Sequence, residues 1–174
     1  MKKLFAIVAL TTLVTLTPGC ATLDNWIQQI QKDPTKIEQA ITSGLQVAIE
    51  VVTAVFGNVL PLLDHQQAAA AQGTFNALLS DAHNADTALI KTVQAAAVAG
   101  NVKVDLSAQV VAVEKAVTAL ELFADGLKSQ LAELKSGKAL DPKVVDSYDN
   151  MHSTVKDFKS FLGQLHPQGK PSAS

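Results

Sequence analysis

The sequence predicts an all-α fold, an antiparallel up-down-up-down four-helix bundle that follows a cleaved signal peptide and a short tether. Three observations predict it. First, 48% of the 174 residues are hydrophobic but only 5% are aromatic, and alanine, leucine and valine dominate, which suits closely packed helices better than a sandwich of strands. Second, four successive segments carry apolar residues at alternating steps of three and four, the spacing of one helix face. Third, the segments are joined by short stretches of turn-forming residues, so each helix is expected to fold back on the one before. Removing a leader of about twenty residues leaves about 155, enough for a single domain with its own core.

The first nineteen residues read as a signal peptide. Lys2 and Lys3 form a positive start, "LFAIVALTTLVTL" (Leu4 to Leu16) is an apolar core, and Pro18 and Gly19 break the pattern before Cys20. The apolar run is too short for a comfortable membrane span. Cys20 is the chain's only cysteine. With Gly19-Cys20 at its end, this region resembles the lipobox of bacterial lipoproteins, although Thr17 stands where leucine is usual and Pro18 is an atypical neighbour. The resemblance covers these few residues alone. It implies that Cys20 becomes the new N-terminus and carries the acyl chains, and that Ala21, rather than aspartate, directs the protein to the outer membrane of a Gram-negative cell, on its periplasmic face. Two other readings stay open: cleavage after Ala21, giving a soluble periplasmic protein, and an unpaired thiol in an oxidising compartment.

Residues 20–33 are expected to be a lipid-anchored tether. Leu23, Trp26, Ile27 and Ile30 fall on one face, which either rests on the bilayer surface or caps the core; the cap is preferred. Asp33-Pro34 and Asp141-Pro142 both read as helix starts, because aspartate caps free amides and proline is preset for the first helical position. Helix 1 is expected from Pro34 to about Leu63 with a seam of Ile41, Leu45, Ala48, Val52, Val55, Val59 and Leu62, weakened late by Gly57 and Pro61. Its stretch Leu45 to Leu63 is apolar nearly all round. Glu50 near the middle makes a central, covered helix a simpler account than a membrane span.

Asp64 is placed to cap helix 2, with Gln67 as its capping-box partner. Phe75, Leu78, Ala82, Ala85, Leu89, Val93 and Ala96 give the inner face, and Gly100-Asn101 supplies the stop. Helix 3 follows Leu106, Val110, Val113, Val117, Leu120, Ala124, Leu127, Leu131 and Leu134, and ends at Ser136 to Lys138. Helix 4 follows Val144, Tyr148, Met151, Val155, Phe158, Leu162 and Leu165. The bundle thus spans residues 34–166, and 167–174 has no apolar face to bury and is expected to be a disordered tail.

Candidate chemistry is sparse. His65, His83, His152 and His166 are scattered, and the first two lie about 27 Å apart along one helix. Asp149-x-x-His152 and His83-x-x-Asp86 set ligand types one turn apart, but a di-iron site needs further inward carboxylates, for which Glu50 and Glu121 are the mid-helix candidates. No metal site is expected. Haem is not expected either, with no attachment motif and Met151 the only methionine after the leader. Ser80, Asp81 and His83 point in different directions on a helix, so no nucleophile stands out. No enzyme activity and no cofactor are expected. All 14 basic residues are lysines; without Lys2 and Lys3, 12 face 16 acids for a net charge near −4. Nucleic-acid binding, which favours clustered cations and the arginine fork, is not expected.

The expected function is therefore that of a lipoprotein anchored to the outer membrane through Cys20, which binds or scaffolds another protein of the envelope. The likeness to secretion pilotins and phage-encoded receptor-blocking lipoproteins is one of architecture and address only. The alternative is a membrane-active, toxin-like or pore-like protein that inserts helix 1.

Overall fold

The computed structural model describes residues 33–99, 104–134 and 140–165. The signal peptide, Cys20, most of the tether, the expected stops at Gly100-Asn101 and Ser136 to Lys138, and the tail all lie outside the described residues. Four α-helices account for nearly all that is described: α1 (Pro34–Val59), α2 (His65–Val98), α3 (Ser107–Leu134) and α4 (Pro142–Leu165), with one 3₁₀ turn at Leu60–Leu62 between α1 and α2. No strand occurs among the described residues.

The helix starts follow from their caps. Asp33 accepts a hydrogen bond from the Thr35 amide at 3.1 Å, with Pro34 at the first helical position. Asp64 and Gln67 form the reciprocal capping box: the Gln67 amide donates to Asp64 Oδ1 at 2.8 Å and the Asp64 amide to Gln67 Oε1 at 3.4 Å. Asp141 accepts from the Lys143 amide at 2.9 Å. Asp105, outside the sequence reading, does the same for α3 by accepting from the Ser107 amide at 2.9 Å. Each cap satisfies amides that a helix N-terminus leaves without partners, contributing about 1 kcal/mol.

α1 is shorter than expected. It stops at Val59, and Pro61, which has no amide hydrogen and whose ring obstructs the preceding turn, sits in the 3₁₀ turn that follows. Leu62 is consequently exposed rather than the last core position.

The core is a single cluster drawn from all four helices, with no polar or charged residue among its buried members. α1 and α3 each pack against all three other helices. The expected seams fill it almost position for position, from Ile41 to Val59, Val110 to Leu131 and Val144 to Leu162. Leu78, Ala96 and Leu165 are only half-buried, and Leu134 is exposed. Phe56, Ala71 and Ala116 join the core in addition, because a helix meeting more than one neighbour buries a stripe wider than a single three-four seam. Phe56 and Phe123 each stack on Phe75 and are tilted against one another across α1, α2 and α3, with centroids 4.4 to 5.9 Å apart.

Gly44 has a steric reason. A β-carbon there would collide with the ring of Phe158, so the glycine leaves room for that ring to lie against the backbone of α1. Gly57, Gly73, Gly126 and Gly163 have open space around them.

Candidate functional site

The richest polar constellation joins α3 and α4. Glu121 and Asp125 stand one turn apart on α3, each directly after a core residue, Leu120 and Ala124. His152 and Lys159 on α4 likewise follow the core residues Met151 and Phe158. These flanking positions meet across the seam. His152 Nδ1 lies 3.5 Å from Glu121 Oε1, its Nε2 lies 3.1 Å from Asp125 Oδ1, and Lys159 Nζ is 3.1 Å from Glu121 Oε2. Only the imidazolium carries a proton on both nitrogens, so His152 serves both carboxylates as a donor only when charged.

Beneath this ribbon Tyr148 is fully buried, and its hydroxyl donates to the Ala124 carbonyl at 2.8 Å. Lys128 Nζ sits 5.0 Å from the centre of the Tyr148 ring. Burial, and secondarily the Asp125 carboxylate, push the phenol far above its ordinary value of 10.0. It therefore stays protonated and acts as a donor that ties the two helices in register. These contacts hold helices together; none of them presents an activated nucleophile.

The remaining candidates from the sequence are dispersed. His65 is exposed at the first position of α2, and His83 is exposed on the same helix. Asp86 does not join His83 on a ligand; its Oδ1 accepts from Thr42 Oγ1 of α1 at 2.6 Å. Asp149 is exposed. Glu50 lies on the outer face of α1 and accepts from Gln46 at 3.4 Å, while Glu121 is occupied by His152 and Lys159. The two glutamates are thus engaged by different partners. Among the described residues no group of three or more histidine, cysteine or acidic side chains is arranged to hold a metal ion. Ser80 and Asp81 are exposed. Cys20 and His166 lie outside the described residues. Sequence reasoning missed Asp125, Tyr148 as a donor, and Lys159; the signal was that charged residues directly follow core positions on both helices.

Shallow grooves indent the surface of the described residues, and two of them bear on function. One, of about 260 Å³, is lined by Ile37 of α1, Val104, Leu106 and Val110 at the start of α3, and Leu165 at the end of α4, with Asp105 and Ser107 on its edge. Those two polar residues already bond each other, Ser107 donating through its amide and its hydroxyl to Asp105 Oδ1. These bonds hold the Asp105 carboxyl below its ordinary value of 3.8. The other groove, of about 330 Å³, lies between α2 and α3 against Ala70, Ala71, Thr74, Phe123 and Gly126. Both fall at or below the small end of typical small-molecule sites, about 300–1,000 Å³.

Residues Pro34–Leu62, α1 with its 3₁₀ turn, form the one span among the described residues long and apolar enough to cross a membrane. Its polar residues are not scattered, however. Gln39, Ser43, Gln46, Glu50 and Thr53 are all exposed and recur at steps of three and four along one outward stripe, while the opposite face supplies seven core residues.

No known protein family, no curated protein and no solved structure matches this chain.

Proposed function

We propose that this chain is a lipoprotein of the Gram-negative outer membrane, anchored on the periplasmic side by acylated Cys20, whose antiparallel four-helix bundle binds or scaffolds another envelope protein. The up-down-up-down order is supported by the pairing of positions. Thr42 meets Asp86 while Phe56 meets Phe75, and Thr92 meets Gln109 while Phe75 meets Phe123. Tyr148 reaches Ala124 while Lys159 reaches Glu121. In each pair the residue number rises on one helix as it falls on the other. That order sets the start of α1, the start of α3 and the end of α4 at one end, next to the anchor.

The observation that favours a binding module over a membrane-inserted protein is the two-sidedness of α1. Its apolar face lies in the shared core and its polar stripe, with Glu50 at the middle, faces solvent. Insertion would break the core and carry Glu50 into hydrocarbon, each at a cost of several kcal/mol. The protein acts as a rigid surface without catalytic chemistry, and two acyl chains or more on Cys20 hold it firmly, since each buried methylene contributes about 0.8 kcal/mol.

The test is release of a trapped dye from phospholipid vesicles carrying the acylated protein, alongside fractionation of the cell envelope. A scaffold leaves vesicles sealed and sediments with outer membranes. Leakage that rises with protein concentration would favour the inserting, toxin-like or pore-like alternative, and recovery in the soluble periplasmic fraction would remove the anchor.

A further inference from the structure

We propose that the groove at the tethered end of the helices is the seat for this chain's own N-terminal segment, and that Trp26, with Leu23, Ile27 and Ile30 beside it, fills the apolar space between Ile37, Val104, Leu106, Val110 and Leu165. This holds whether or not Cys20 carries lipid. The segment enters at the right place. Asp33 is extended, with φ −132° and ψ 98°, and Pro34 bars a straight continuation of α1 backwards, because the residue before a proline is driven out of the helical region. α1 therefore begins at Pro34, close in sequence to the groove residue Ile37. Ile37 lies one helical turn beyond, about 6 Å along the axis. Trp26 is seven residues before Asp33, and an extended chain of that length reaches about 23 Å, so the distance is easily covered.

The groove suits such a guest. Five of its seven lining residues are aliphatic, and the two polar ones, Asp105 and Ser107, already bond each other. Its volume of about 260 Å³ lies below the usual range of small-molecule sites, about 300–1,000 Å³. Seated in this way, the segment covers the open end of the core and leaves only Cys20 to Thr22 between anchor and folded domain.

Trp26 is the only tryptophan, so its fluorescence reports the contact directly. The mature chain isolated from cells is placed in phosphatidylcholine vesicles with plain or brominated acyl chains. Docking predicts blue-shifted emission, weak quenching by acrylamide and equal intensity in both vesicle types. Val104→Asp and Leu165→Glu, checked as folded by circular dichroism, shift the emission to the red and restore acrylamide quenching. Solvent-like emission overturns the proposal, as does emission unmoved by both variants. Quenching by brominated chains overturns it too, and assigns the segment to the bilayer surface. Should both variants unfold, disulfide formation between Trp26→Cys and Val104→Cys decides. Docking makes it faster than the pairing of Trp26→Cys with Leu122→Cys, an exposed position on α3; equal rates overturn the idea.

Discussion

α4 is held on its two sides by different chemistry. Towards α1 it meets a dry seam, where Phe158 lies against the bare backbone of Gly44 and no polar group intervenes in the core. Towards α3 it meets a layered seam, in which the Tyr148 hydroxyl reaches a backbone carbonyl and a ribbon of Glu121, Asp125, His152 and Lys159 runs outside. The dry side contributes most of the stabilisation, because burial is non-directional and scales with area. The polar side adds less energy but more direction, since a hydrogen bond or ion pair is satisfied in one register and lost in the next. Helix packing by aliphatic residues alone tolerates small slides; an anchored hydroxyl does not.

The comparison breaks most severely at its dry side. Phe158→Ala should cost about 3–5 kcal/mol, the range for removing a buried aromatic ring, read as a lowered midpoint of guanidinium unfolding. A loss under 1 kcal/mol would mean that the Phe158 ring does not pack against α1 at Gly44.

Gly44→Ala comes next and is the sharper test, because its sign is unusual. Glycine to alanine inside a helix ordinarily stabilises by about 0.5–1 kcal/mol, and Gly126→Ala, with open space around it, should do so. At Gly44 the added methyl meets Phe158, and overpacking of this kind costs about 1–3 kcal/mol. Opposite signs for the two substitutions in thermal melts support the dry seam; matching gains contradict it.

On the polar side, Tyr148→Phe keeps the ring and removes the donor to Ala124, a loss of about 1 kcal/mol. The pH dependence has a definite sign. Burial raises the phenol's folded value above its ordinary 10.0, so its contribution is complete below pH 10 and is lost as pH rises through the folded value. The gap between wild type and Tyr148→Phe should therefore narrow in strongly alkaline solution, measured by denaturant titration on both sides of pH 10. A gap that widens there would remove the buried donor.

The smallest effect belongs to the outer ribbon. Glu121 and Lys159 are partly exposed, and such pairs contribute about 0–1 kcal/mol. Glu121→Gln should cost no more than this, and less still in high salt, where screening shortens to about 3 Å at 1 M. A larger, salt-independent loss would make the ribbon a structural centre in its own right.

These predictions also mark how far the sequence could be read. The seams of α3 and α4 were legible because one face of each repeats at three and four without interruption, and the Asp33, Asp64 and Asp141 caps were legible because capping is local. The end of α1 was less so: Pro61 warned of weakening, but the conversion to a 3₁₀ turn at Leu60 depended on the following connection. Glu121 shows where reading along the chain stops. It could be singled out as a mid-helix acid and set beside Glu50, yet its partners, His152 and Lys159, come from a helix whose rotation about its axis is fixed by packing. Gly44 was silent for the same reason, since nothing near it in sequence names Phe158. The proposed binding role is more remote still, because an outward surface carries no periodicity that identifies its partner.

The account as a whole depends on Cys20 joining this folded unit to the envelope. The direct measurement is the intact mass and N-terminal peptide mass of the protein isolated from Gram-negative cells, for the wild type and for Cys20→Ala. The account predicts a wild-type chain that begins at Cys20 with covalently attached acyl groups, and a variant without them. A wild-type chain that begins at Thr22 with an unmodified amine would contradict it.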